Sequence, residues 1–117
     1  MTLAIDGAQP LAALLASEPP LRTWLAIGAT IRRFHDSGVF HADLNAHNVL
    51  VRGDADIWLL DFDRGELRVP GSWCAANLAR LKRSLAKLEA GGAGRFPQDS
   101  WAALLEGYET PRGAPRR

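Results

Sequence analysis

The feature that most constrains this chain is a short pair of apolar runs, Val49-Leu50-Val51 and Ile57-Trp58-Leu59-Leu60, separated by Arg52-Gly53-Asp54-Ala55-Asp56. Two β-prone runs joined by a Gly/Asp-rich turn predict an antiparallel hairpin. A lone hairpin is marginal in water, so it must lay one face on something else. Polar residues crowd both of its ends: His41-Ala42-Asp43-Leu44-Asn45-Ala46-His47-Asn48 leads into the first run, and Asp61-Phe62-Asp63 follows the second. The hairpin thus places carboxylates and a carboxamide around one strand-turn-strand unit.

Helices are the expected cover. From Leu21 to Asp36 the positions Leu21, Trp24, Leu25, Gly28, Ile31 and Phe34 follow helical spacing, with Arg32 and Arg33 off that face. Pro19-Pro20 precedes this helix and Gly38 is expected to stop it. A second long helix is predicted from about Trp73 to Leu88, with a stripe of Leu78, Leu81, Leu85 and Leu88. A third, from Gln98 to Gly107, gathers Trp101, Leu104, Leu105 and Tyr108. Upstream, Thr2 to Ile5 reads as a short strand, and Gln9 to Ala16 as a short helix with Leu11, Leu14 and Leu15 on one side. Gly91-Gly92-Ala93-Gly94 reads as a flexible break; it lacks the preceding strand and the spacing of a phosphate-cradling loop. The fold class is α+β, mostly helical.

At 117 residues and 47% hydrophobic composition the chain fits one small domain. The single cysteine, Cys74, excludes an internal disulfide framework and is expected to be a buried small apolar group. No apolar run approaches the roughly 20 residues of a membrane-spanning helix. The net charge of +1 conceals an asymmetry: Met1 to Asp63 holds four Arg/Lys against eight Asp/Glu, whereas Arg64 to Arg95 holds seven against two. Arg80, Lys82, Arg83 and Lys87 fit the solvated face of a helix, or attraction to an anionic substrate or membrane surface. No nucleic-acid partner is expected.

The polar ends of the hairpin suit phosphoryl transfer. That reaction needs a positioned hydroxyl, an acceptor for its proton, and metal ions that neutralise the phosphates. Asp43 suits the acceptor. Asn48, just before an apolar strand, offers an amide oxygen to magnesium, and Asp61 at the neighbouring strand end offers the hard anionic oxygen that magnesium prefers. Asp63, two residues on, faces the same side of an extended segment and can join it. His41 is expected to brace the loop by hydrogen bonding. The acidic turn at Asp54 and Asp56 lacks the ligand spacing of a calcium loop.

The combination of Asp43, Asn48 five positions later, an intervening hairpin and Asp61 at a strand end resembles the catalytic and metal loops of the protein-kinase-like fold. The resemblance implies the C-terminal lobe of that fold, in which the small hairpin carries the two loops and the Leu21 to Asp36 helix precedes the catalytic loop. Asp-Phe-Asp stands where ordinary protein kinases have Asp-Phe-Gly, and no Ala-Pro-Glu-like segment follows, so protein substrates are not expected.

The longer pattern, His41 to Leu50, then Leu60-Asp61-Phe62-Asp63-Arg64-Gly65, then Trp73 with Asn77-Leu78, Arg80-Leu81, Arg83-Ser84-Leu85 and Lys87, resembles the 3-deoxy-D-manno-octulosonic acid (Kdo) kinases of the lipopolysaccharide kinase family. That resemblance implies ATP-dependent phosphorylation of the 4-OH of Kdo in a Kdo-lipid A precursor, at the cytoplasmic face of the Gram-negative inner membrane, with peripheral membrane association. Carried onto this chain it makes Asp43 the catalytic base and Asn48 and Asp61 the Mg2+ ligands that also hold the nucleotide. Arg64, Arg68 and Arg83 become candidates for contact with the anionic substrate. Such kinases also carry an N-terminal lobe with a strand Lys and a helix Glu, and nothing upstream of Leu21 matches that pair. Residues 1–8 are then expected to be a hinge-like edge strand, 9–110 the C-terminal lobe, and 111–117 a disordered tail. A soluble-substrate phosphotransferase of the aminoglycoside or choline kinase type, or a non-catalytic kinase remnant, are the alternatives.

Overall fold

The computed structural model describes residues 7–36, 39–40, 44–53, 56–59, 66–67 and 72–109, with the backbone alone at 39–40, 66–67 and 72–73. The elements run β1 (Gln9–Pro10), α1 (Leu11–Leu14), a 3-10 turn (Leu15–Ser17), α2 (Leu21–Asp36), β2 (Val39–Phe40), β3 (Val49–Arg52), β4 (Asp56–Leu59), β5 (Glu66–Leu67), α3 (Ser72–Ala90) and α4 (Gln98–Glu109). The architecture is mostly helical with a small antiparallel sheet, as the fold class expected.

The hairpin forms where its sequence places it. β3 pairs antiparallel with β4, Val49 opposite Leu59 and Arg52 opposite Asp56. Alternation decides which face is buried: Val49 and Val51 are buried, whereas Leu50 is half-buried and Arg52 exposed. At the turn the Arg52 guanidinium stacks over the Trp58 ring at 4.9 Å and reaches the Asp56 carboxylate at 3.3 Å. The other edge of β3 pairs with β1, Gln9 opposite Val51, so the sheet order is β1-β3-β4. A separate two-stranded ladder joins β2 to β5. The expected helix from Gln9 to Ala16 is therefore corrected. Gln9 and Pro10 are drawn into the sheet, Leu11–Leu14 alone is α-helical, and the chain tightens to a 3-10 turn at Leu15.

Helix α2 keeps its expected bounds, but its buried face is rotated from the one that hydrophobicity alone picks out. Trp24, Gly28 and Ile31 are buried as expected, together with Ile27 and the polar Thr23, Thr30 and His35, while Leu21 is 50% exposed. Thr30 is accommodated by donating its hydroxyl to the Ala26 carbonyl at 2.9 Å, one turn back. His35 is accommodated by neighbours. Its Nε2 donates to Asn77 Oδ1 at 3.2 Å on α3, and its Nδ1 accepts the Tyr108 hydroxyl at 2.7 Å on α4. Both contacts suit a neutral imidazole, and burial pushes the His35 pKa below its ordinary 6.5. Burial, reinforced by the nearby Cys74, pushes the Tyr108 phenol up to about 12, so it stays a donor.

Helices α2 and α4 cross backbone to backbone. A Cβ on Gly28 would strike the Leu104 carbonyl and lie 2.8 Å from the Tyr108 nitrogen; one on Gly107 would strike the Leu25 carbonyl. The missing side chains allow this approach, and Arg32 then caps the end of α4 by donating from Nη1 to the Tyr108 carbonyl at 2.8 Å. Between α2 and the start of α4, Phe96 stacks at 5.7 Å from Trp24 and edge-on at 6.0 Å from Trp101. Leu78, Leu81 and Leu85 of α3 close the core against Leu11, Leu15, Leu44 and Val49, and Cys74 is buried as expected.

The glycine run after α3 is more ordered than a flexible break. Gly92, at φ 87°, donates to the Glu89 carbonyl at 3.0 Å while Ala93 donates to Leu88 at 3.0 Å. That pair of bonds is the Schellman ending of a helix, which wants glycine at the left-handed position. Glu89 then reaches forward to accept the Phe96 amide at 2.9 Å, bringing the chain round to α4. The expected strand at Thr2 to Ile5, the stop at Gly38, and the tail from 111 lie outside the described residues.

Candidate functional site

The loop that enters β3 is built by alternation and by borrowed hydrogen bonds. Leu44 and Ala46 are buried, whereas Asn45 is half-buried and His47 exposed, so the two apolar residues act as pegs. The Asn45 side-chain oxygen accepts the His47 amide at 2.8 Å and its carbonyl accepts the Asn48 amide at 3.1 Å, folding residues 45–48 into a turn. Ala46, fully buried, finds partners on two other elements. Its amide donates to Ser84 Oγ of α3 at 3.0 Å, and its carbonyl accepts the Ala12 amide of α1 at 3.1 Å. The loop is therefore pinned to both helices immediately before Asn48.

Asn48 is half-buried at the mouth of β3, and the register Val49 to Leu59 brings the start of β3 beside the end of β4. Of the expected site residues, Asn48 and Arg83 fall within the described part. Asp43, Asp61, Asp63, Arg64, Arg68 and His41 lie outside it. Among the described residues, no group of three or more His, Cys, Asp or Glu gathers where it could hold a metal ion. The donor chemistry at Asn48, a carboxamide at a strand entrance, suits a hard divalent cation.

Arg83 lies on the wall of a cleft of about 670 Å³ between α3 and this loop. Asn45 and His47 form the loop side; Arg80, Ser84 and Lys87 stand with Arg83 on the helix side. Asn45, His47 and Ser84 carry no expected role from the sequence, whereas Lys87 is expected with Arg80 and Arg83 on a solvated or anion-attracting helix face. The signal for three of these cleft residues is the spacing of Arg80, Arg83 and Lys87, which puts them on one helical face. No spacing could show that residues 45–47 stand opposite them.

A pinned loop ending in a carboxamide at the mouth of a hairpin, beside a basic cleft, defines a small α+β unit with a polar site at one sheet end. Comparison with known proteins gives its kinship. Residues 1–108 match the model of the lipopolysaccharide kinase (Kdo/WaaP) family. The chain is 44% identical over 108 residues to a 3-deoxy-D-manno-octulosonic acid kinase of Photobacterium profundum, covering 92% of this chain and 46% of that protein. It is 43% identical over 113 residues to the enzyme of the same name from Actinobacillus succinogenes, covering 93% and 47%. A Stenotrophomonas maltophilia relative of that name is 44% identical over 108 residues, covering 90% and 43%. The chain belongs to the lipopolysaccharide kinase family, and it spans slightly under half the length of these relatives.

Proposed function

We propose that this chain is the C-terminal, kinase-like part of an ATP-dependent sugar kinase that phosphorylates the 4-OH of Kdo in a Kdo-lipid A precursor during lipopolysaccharide core assembly. The observation that carries the reading is the β3–β4 register, which sets the Asn48 end of the pinned loop beside the strand that leads to Asp61. In this reading Asn48 and Asp61, with Asp63, hold Mg2+ and through it the ATP phosphates; the bound ion supplies neutralisation of phosphate charge. Asp43, five residues before Asn48, accepts the proton of the attacking hydroxyl. His41 braces the loop, and Arg64, Arg68 and Arg83 contact the anionic acceptor. The names of the relatives support the acceptor, and the family supports the nucleotide.

The substrate is amphiphilic and anionic, which places the kinase peripherally on the cytoplasmic face of the inner membrane. No helix among the described residues is long and apolar enough to cross a membrane. The phosphate-binding Lys and its Glu partner come, in this reading, from an N-terminal lobe.

Calorimetry with magnesium-ATP tests the metal and nucleotide roles: binding by the native chain should be lost in Asp61→Ala and weakened in Asn48→Ala. Equal traces for native and Asp61→Ala proteins would refute the site. The acceptor is tested by transfer of labelled phosphate in a protein of the relatives' full length that carries this chain. Transfer to Kdo-lipid A precursor is expected; transfer to an aminoglycoside or choline instead would replace the reading with a soluble-substrate phosphotransferase.

A further inference from the structure

The basic cleft differs in composition from two other clefts among the described residues. Arg80, Arg83 and Lys87 recur at i, i+3 and i+7 along α3, so three cationic side chains rise from one face toward His47 and Asn45. Among the described residues, no carboxylate lines it. The nearest acid along α3, Glu89, is turned away to accept the Phe96 amide at 2.9 Å. Both of those clefts carry carboxylates: one is lined by Glu106 and Glu109, the other by Glu18 and Asp99 together with Arg95. Positive charge gathered in a concavity focuses the field and raises the local concentration of anions. Its volume of about 670 Å³ lies within the usual small-ligand range of roughly 300–1,000 Å³.

The cleft is also tied mechanically to the proposed transfer site. Ser84, one residue beyond Arg83, holds the Ala46 amide at 3.0 Å, so the cationic face and the Asn45–Asn48 turn share a fixed spacing. An anionic group seated between Arg83, Lys87 and His47 would sit directly beside the turn that ends at Asn48.

We infer that this cleft is an oxyanion subsite that grips a phosphate or carboxylate group of the glycolipid acceptor and so presents its hydroxyl to the loop. The identity of the ligand rests on the proposed sugar-kinase function; the capacity to bind an oxyanion rests on the cleft alone. Arg83 and Arg80 supply planar forks suited to two oxygens at once, and Lys87 a mobile point charge.

The probe is inorganic pyrophosphate, titrated calorimetrically into the 117-residue chain in magnesium-free, nucleotide-free buffer. Saturable binding that weakens with salt is expected. The Arg83→Ala/Lys87→Ala protein should bind at least about tenfold more weakly, while Asp61→Ala binds as the native chain does. Far-UV circular dichroism checks that α3 survives, and Arg83→Lys/Lys87→Arg, which keeps the charge, should retain most of the affinity. Absence of saturable binding, or equal affinity in the double alanine variant, overturns the subsite. Failure of the metal-nucleotide reading shows differently, as loss of magnesium-ATP binding with pyrophosphate binding intact. Competition assigns the source: micelles of Kdo-bearing glycolipid should displace pyrophosphate, and vesicles of anionic phospholipid should not. Displacement by the vesicles alone would overturn the acceptor assignment and make the cleft a membrane headgroup site.

Discussion

Two regions of this molecule are held in place by opposite means. Helices α2 and α4 are located by shape: Gly28 and Gly107 let their backbones touch, and the fit tolerates Thr23 Oγ1 and Trp24 Nε1 buried without hydrogen-bond partners among the described residues. The loop 44–48 has one large buried anchor, Leu44, and beyond it is located by bonds: Ala46 is small, and its position depends on its amide and carbonyl finding Ser84 and Ala12. Shape-located contacts resist change until they fail together. Bond-located segments can be shifted one partner at a time, which suits a loop that must meet a ligand. The contrast separates the part that makes the fold from the part that is proposed to do chemistry.

The harshest way to break the contrast is to fill the helix crossing. Gly28→Ala should gain up to about 1 kcal/mol of helix propensity, but the added carbon meets the Leu104 carbonyl and not a flexible side chain. Backbone cannot yield locally, so α4 must move away from α2, and the net loss should be roughly 3 kcal/mol or more. Gly107→Ala should act similarly against Leu25, and the two losses should fall short of additivity because either one opens the same crossing. Denaturant unfolding measures this. Stability equal to the native chain in Gly28→Ala would show that bonds, and not shape, place α4.

The polar junction of His35, Tyr108 and Asn77 lies between these extremes, since His35 and Asn77 are buried like the first region and all three are bonded like the second. His35→Gln should cost about 2 kcal/mol at neutral pH by leaving at least one buried partner unsatisfied. The pH dependence sharpens the point. Because folding lowers the His35 pKa below 6.5, the unfolded chain binds the extra proton. Stability contributed by neutral His35 is complete above about pH 6.5 and is lost as pH falls from there toward the lowered native value, by at most about 1.4 kcal/mol per pH unit. The stability gap between native and His35→Gln proteins should therefore narrow on acidification. A gap that widens would mean that the imidazole is held charged.

How far each region could be read from the sequence follows the same division. The hairpin was legible because two β-prone apolar runs and a Gly/Asp turn are local signals, and Pro19-Pro20 fixed the start of α2 for the same reason. The buried face of α2 was legible at Trp24, Gly28 and Ile31 but not at Thr30, hidden by a bond within its own helix, or at His35, hidden by partners 42 and 73 residues away. Gly28 was recognised as lying on the inward face, yet its close approach to α4 depends on a partner that hydrophobic spacing does not name. Arg80, Arg83 and Lys87 showed a common helical face but not what stood before it. Asn45 and His47 reach that face only through the turn at 45–48 and the Ser84 tie.

That tie gives the mildest test and the most selective one. Ser84→Ala removes the only acceptor recorded among the described residues for the Ala46 amide, at a site where Ala46 is fully buried. A global cost near 1 kcal/mol is expected, since one neutral hydrogen bond is lost and the loop can relax toward solvent. The local effect should exceed the global one. Amide hydrogen exchange at Ala46 and Asn48 should accelerate, while amides of α2 at its crossing with α4 keep their protection after correction for the global change. Ser84→Thr, which keeps the hydroxyl, should restore much of the loop protection. If the alanine variant loosened α2 and the loop equally, the loop and the helix pair would open as one unit, and the division between a shape-located scaffold and a bond-located site would not hold.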